Sequence, residues 1–367
     1  MIRNLPGRFA FEALIVILML FPPALKATEK KDLIEIAESD RQWTGVAVSK
    51  EGRIFVSYPR WSDGASVSVA ELASDGTLKP FPDKEWNSWG PGLSTQDHFV
   101  CVQSVYVDSD NFLWIVDSAN PKAGDVVKDG AKLLKVDLKT NQVIQRIYFD
   151  ETVAQQDSYF RNFRVDTKNG YGYLSDSGTG ALISIKLWNG QMRRLLADHF
   201  STKAERIIVN VNGNEFRKPD GRIPQIDVVG IALDKTGRYL YFHALSGRKL
   251  YRIETRWLRD ESLSDEHLGR KVESPGTTGP VDGMEFGPDG NLYFAAIEEN
   301  AIKRLTPDLQ IEPVVQDRRL AWPGALAVGP DGMLYIITTQ VHLWGKPLEP
   351  YRLFKINIAA PADTAPR

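Results

Sequence analysis

The stretch PVDGMEFGPDGNLYFAA (residues 280–296) decides the fold, because its central GPDG returns forty-two residues later inside PGALAVGPDGMLYIIT (residues 323–338). In both places a run alternating between apolar and small or polar residues meets a Gly/Asp turn, and a Leu-Tyr-apolar run follows. Alternation sends successive side chains to opposite faces of an extended chain, and Gly, Asn and Asp tolerate the positive φ of a tight reversal. Each stretch therefore reads as a β-hairpin. The unit is also present as GVAVSKEGRIFVSY (45–58), SVYVDSDNFLWIVD (104–117), FRVDTKNGYGYLSD (163–176) and GIALDKTGRYLYFHA (230–244), which makes six copies. Between copies lie further strand–turn–strand segments, such as AKLLKVDLKTNQVIQRIYF (131–149), GALISIKLWNGQMRRLLA (180–197) and NAIKRLTPDLQIEPVV (300–315). A unit thus holds four strands. One four-stranded sheet cannot bury both of its faces, so repeated sheets must pack on one another around an axis. The expected fold is all-β: a six-bladed β-propeller with four-stranded antiparallel blades. The recurring turn joins the two inner strands of each blade.

Composition agrees with this reading. The chain has 367 residues, long for one ordinary core but suited to a single large β domain. Hydrophobic residues make up 43%, charged residues 25%, and the formal net charge is −2, so no basic excess points to nucleic acid. Nine Trp, twelve Tyr and sixteen Phe suit pleated surfaces.

Residues 1–27 read as an export signal. Arg3 and Arg8 precede an unbroken apolar run at residues 13–21, and a site for cleavage follows Ala27. The run is too short to span a bilayer, which takes about 20 apolar residues. The expected organisation is a signal peptide over 1–27, one propeller domain over 28–358, and a disordered tail over 359–367. The protein would be secreted or periplasmic, with no membrane association after signal removal. Cys101 is the only cysteine, so no intrachain disulfide can form. It sits in an apolar strand pattern, where a buried inert thiol is expected. Residues 206–227 and 257–279 are polar interruptions that read as inserted loops, the second with room for a short helix.

Stacking the copies on their turns gives two columns of equivalent positions. The first holds Thr44, Gln103, Asn162, Val229, Asp282 and Gly324; the second holds Tyr58, Asp117, Asp176, Ala244, Ala296 and Thr338. In a propeller one column lies near the channel mouth, where ligands bind. Polar groups inside an apolar repeat need partners or a purpose. Asp282 can ligate a metal, accept a proton, pair with a cationic amine, or cap a neighbouring backbone. Asp117 and Asp176 each precede Ser, where aspartate fixes a turn or faces a ligand. Asn162, beside Arg161, has no obvious place in a strand core, and Gln103 shares its column. His243 ends an inner strand and is placed toward the mouth. The other histidines are scattered without metal-binding spacing, and no nucleophile elbow, P-loop or GxGxxG motif is present.

The segment IFVSYPRWSDG, followed by VYVDSDNFLWIVDSA, GYLSDSGTGALISIKL and AWPGALAVGPDGMLYIIT, resembles the yellow/major royal jelly protein family in order and spacing, over roughly residues 40–358. The resemblance implies a six-bladed propeller with a ligand cavity at one mouth. It also implies a secreted protein of a family that includes binders of biogenic amines and proteins associated with dopachrome conversion. Arg60 and Trp61 match the family's PRW position, where they would stack on a ligand or lock a blade. A more distant similarity links the chain to the gluconolactonase/senescence-marker propellers, which hold a divalent cation on a Glu, an Asn and an Asp. By blade phase those positions are Thr44, Val229 and Asp282, and only the Asp is kept. A divalent cation such as calcium is therefore possible only with other ligands, such as Asn162 or Gln103.

Three functions follow as expectations. The first is an exported propeller that binds a small aromatic or amine-like molecule in its central cavity. The second is an enzyme using the same cavity, of tautomerase (dopachrome-conversion-like) or gluconolactonase-like hydrolase type. The third is a protein-binding scaffold with a filled axis. The ligand-binding candidates are Arg60, Trp61, Gln103, Asn162, Asp176, His243 and Asp282.

Overall fold

The computed structural model describes Met1, residues 32–62 and residues 67–358; the expected signal peptide, beyond Met1, and the expected tail lie outside the described residues. Its strands form six four-stranded antiparallel sheets, and the innermost strand of each packs against the next around a closed ring. The innermost strands are Gly45–Val48, Val102–Val107, Phe160–Asp166, Val228–Leu233, Val281–Phe286 and Pro323–Val328, defining blades one to six. The fold is the six-bladed propeller that the repeat implies.

The last blade is completed from the other end of the chain. Strand Ile34–Ser39 pairs antiparallel with Tyr351–Asn357, from Ser39 opposite Tyr351 to Ile34 opposite Lys355, and forms the outer edge of blade six. Joining the two ends in one sheet ties the ring shut. The first hairpin copy starts at residue 45, and the repeat gives no sign of this strand. The insertion at 257–279 is also shorter than expected. It holds two short helices, Thr255–Arg259 and Asp265–Gly269, and then Glu273–Thr277, which is the outermost strand of blade four.

The repeated GPDG turn has a physical cause. Gly290 and Gly332 adopt positive φ, 80° and 71°. Asp289 accepts a hydrogen bond from the Tyr293 hydroxyl at 2.7 Å, and Asp331 accepts one from Tyr335 at 3.0 Å. A methyl group at Gly287 or Gly329 would lie 2.5 or 2.6 Å from the same tyrosine ring. The first glycine gives the ring room, the aspartate satisfies its hydroxyl, and the second glycine makes the reversal.

Inner strands are buried on both faces; Phe112–Asp117 is almost wholly buried, whereas the outer strand Gln142–Tyr148 alternates between exposed and covered positions. Large side chains fill the gaps between blades. Trp114 of blade two and Phe163 of blade three lie 5.4 Å apart in one cluster, and Phe55, Phe81, Phe99 and Leu113 make another between blades one and two. At two glycines of the inner strands the blades approach too closely for a side chain. A methyl at Gly283 would sit 2.2 Å from the Gly324 carbonyl oxygen, and one at Gly230 would sit 2.5 Å from that of Asp282. Among the described residues no helix is long and apolar enough to cross a membrane.

Candidate functional site

In five of the six blades the pairing of the inner strand with its neighbour slips near its first residues: at 102/104, 160/163, 228/230, 281/284 and 323/326. A bulge leaves a residue unpaired and re-aims its side chain. These slips fall on the first column of equivalent positions, so Gln103, Arg161 with Asn162, Val229, Asp282 and Gly324 are all displaced together at one end of the channel. This shared irregularity builds the site.

Several of these polar groups join blade to blade. Thr44 Oγ1 donates to the Gln103 carbonyl at 2.7 Å. Ser104 Oγ donates to the Arg161 carbonyl. Asn162 Nδ2 and Ser175 Oγ both donate to the Val229 carbonyl, at 3.0 and 2.7 Å. Asn162 lines a narrow axial cavity of about 120 Å³ below the mouth. There Arg164 and Glu285 form an ion pair at 3.0 Å.

Above lies the mouth, a cavity of about 880 Å³ whose lining includes Arg161, Asp282, Trp61, Tyr159, Phe216, Trp344 and Tyr351. Arg161 and Asp282 are both largely buried there, with an Nη2–Oδ1 separation of 3.9 Å. Arg161 Nη1 donates to Gln103 Oε1 at 3.3 Å, and Trp322 Nε1 donates to Asp282 Oδ2 at 2.9 Å. Burial pushes the Asp282 carboxyl above the ordinary carboxylate range; the Arg161 charge and the indole bond oppose the shift without reversing it. Trp322 holds this bond from a left-handed backbone, φ 54°, costly for so large a residue.

The walls come from segments far apart in the chain. Trp61 follows the second strand of blade one, and its Nε1 donates to the Tyr159 hydroxyl at 2.5 Å. Phe216 belongs to the insertion at 206–227. It meets Trp322 edge-on at 4.9 Å and stacks on Trp344 at 5.5 Å; His342 stacks on the Trp322 ring at 5.6 Å. Tyr159, Phe216 and Trp344 were not singled out from the sequence. The latter two lie in loops, which carry no periodicity, and their aromatic character amid polar residues was the only available signal.

The remaining candidates sit elsewhere. Arg60 Nη2 donates to the Asn87 carbonyl at 2.7 Å, and Asn87 Oδ1 accepts from the Ser68 and Val69 amides, so Arg60 braces blade one while its neighbour Trp61 faces the cavity. Asp176 is fully buried. It accepts from the amides of Tyr159 and Gly178, from Thr179 Oγ1 and from Arg194. It holds Tyr159 in place and does not line the cavity. Asp117 plays the same part in blade two, with Lys132 at 2.7 Å and the amides of Val100, Cys101 and Ala119. His243 is sealed inside blade four, between the Ala244 carbonyl at 2.6 Å and Thr278 Oγ1 at 2.8 Å, and burial pulls it down to about 4. Both faces of an inner strand are buried here, so ending such a strand does not bring a side chain to the mouth. Cys101 is buried, and its thiol is pushed up to about 12.

The positions equivalent to a cation site do not fit one. Thr44 spends its hydroxyl proton on a carbonyl, Val229 has no donor atom, and Asp282 faces a guanidinium that would repel a dication. Among the described residues no group of three or more His, Cys, Asp or Glu side chains is placed to hold a metal ion.

Comparisons with known proteins agree with the propeller fold. The profile of the family described as "Major royal jelly protein" matches residues 100–346. The yellow protein of Drosophila pseudoobscura pseudoobscura is 26% identical over 266 residues, 68% of this chain and 47% of its own length. That of Drosophila melanogaster is 25% identical over 265 residues, 68% and 48% of the two chains. The chain thus spans about half the length of the curated relatives it matches. Among solved structures, a streptogramin B lyase superposes with a TM-score of 0.53 at 15% identity, over 90% of this chain and 99% of its own. A gluconolactonase of Xanthomonas campestris gives 0.55 at 11% identity, over 89% of each chain. At such identities these two show the propeller fold alone.

Proposed function

As the chain belongs to the major royal jelly protein family, we propose that it is an exported propeller that binds a small aromatic, amine-bearing molecule in its mouth cavity. The observation that carries this reading is the lining: one buried carboxylate, Asp282, beneath the rings of Trp61, Tyr159, Phe216, Trp344 and Tyr351. Rings supply stacking area, and the Asp282 carboxylate, beside Arg161, offers an ammonium group a partner of opposite charge. No histidine lines the cavity among the described residues.

A second reading is favoured by one feature, the raised pKa of Asp282. A carboxyl that holds its proton nearer neutrality can exchange it with a bound quinonoid molecule, which is the chemistry of a tautomerase.

A thermal-shift series with tyramine, dopamine, serotonin, a sugar lactone and calcium tests the first reading. Saturable stabilisation by the amines is expected, since a ligand held at 100 times its Kd adds about 2.7 kcal/mol. A shift with calcium or the lactone alone would replace this reading with the hydrolase one. Accelerated loss of dopachrome absorbance, abolished in Asp282→Asn, would establish the tautomerase.

A further inference from the structure

The floor of the mouth carries a charge pair whose geometry narrows the ligand class, and the inference rests on the binding reading above. Arg161 and Asp282 stand 3.9 Å apart, with side chains 14% and 7% exposed, too far apart for a hydrogen bond and too buried to be screened by bulk water. Each is steered from behind by a neutral partner, Arg161 by the Gln103 carboxamide and Asp282 by the Trp322 indole. Both side chains line the cavity.

We propose that the ligand is an aromatic α-amino acid, its carboxylate on Arg161, its ammonium on Asp282 and its ring against the aromatic wall. The pair has no net charge. A monocation drawn to Asp282 also meets the Arg161 guanidinium, 3.9 Å from that carboxylate, and a lone anion meets the converse. A ligand carrying both charges on one carbon, laid antiparallel to the pair, satisfies both and meets neither repulsion. Such complementarity yields discrimination because the mismatched ligand leaves a buried charge facing its like. The rings of Trp61, Tyr159 and Phe216 then hold the aromatic side chain above the pair.

Calorimetric titration of the full chain with tyrosine, tyramine and hydroxyphenylpropionate tests this, because the three share a ring and differ only in charge. Tyrosine is expected to bind at least about ten-fold more tightly than either analogue, the size of one charge-assisted hydrogen bond. In Arg161→Gln the preference over tyramine disappears, and in Asp282→Asn the preference over hydroxyphenylpropionate disappears. Tyramine binding as tightly as tyrosine, or more tightly, overturns the inference and leaves amine binding standing. Binding of hydroxyphenylpropionate alone overturns both, as does failure of all three to bind.

Discussion

Gly283 is the position where ring geometry and site meet, and its replacement by alanine gives the sharpest structural prediction. The new Cβ would lie 2.2 Å from the Gly324 carbonyl oxygen and 3.0 Å from the Ala325 Cα. Both obstacles are backbone, so no side chain can rotate away; blades five and six must separate by about 1 Å to restore van der Waals contact. Overpacking of this kind costs about 1–3 kcal/mol when side chains yield, and the upper end is expected where only backbone can move. The neighbouring Asp282 moves with the strand, so ligand affinity falls together with stability. Gly276→Ala is the control: it lies on the outer strand of blade four, and its Cβ would meet only Ile311 Cδ1, at 3.6 Å. Urea denaturation should show a loss of about 3 kcal/mol for Gly283→Ala and less than about 0.5 kcal/mol for Gly276→Ala. Equal stability of the two variants would refute the close approach of inner strands on which the channel mouth depends.

Three further outcomes follow from the packing. Asp282→Asn should melt at or above the wild-type temperature at neutral pH, with the difference closing as pH falls toward about 4. A carboxyl with its folded pKa raised above the unfolded value binds its proton more tightly when folded, so wild-type stability grows as pH falls through the folded pKa; a deficit in the variant that is largest at neutral pH would contradict this. Lys132→Met should cost about 3–5 kcal/mol in chemical denaturation, because it strands the fully buried Asp117 carboxylate without its counter-ion; a loss under about 1 kcal/mol would show the three backbone amides to be sufficient. Tyr293→Phe and Tyr335→Phe should each cost about 0.5–1.5 kcal/mol, and by similar amounts, since both hydroxyls bond the aspartate of the same turn.

The hairpins were legible in the sequence because strand periodicity and turn chemistry are local. GPDG followed by Leu-Tyr encodes its own geometry, and six copies in phase leave little choice but a ring. The closing strand Ile34–Ser39 was not legible, since IEIAES acquires its role only by pairing with a segment more than three hundred residues away. The bulges at 160/163 and 281/284, where Arg161 and Asp282 lie, likewise leave no mark in the strand periodicity. Asp282 could be singled out as a polar residue in an apolar repeat, but its pairing with Arg161 and Trp322 could not. His243 and Asp176 share the polarity that marked Asp282, yet both are consumed inside their blades, because buried polar groups serve the scaffold more often than a ligand.

The most direct test of the account is the affinity of tyramine for the wild-type chain and for Trp61→Ala and Trp344→Ala, measured by titration calorimetry with folding checked by circular dichroism. The two residues lie in different blades and meet only around the mouth cavity. One binding site per chain is expected, weakened by between about two- and twelve-fold in each variant as one aromatic contact is lost. Unchanged affinity in both folded variants would place the ligand elsewhere and contradict the proposed role of the cavity.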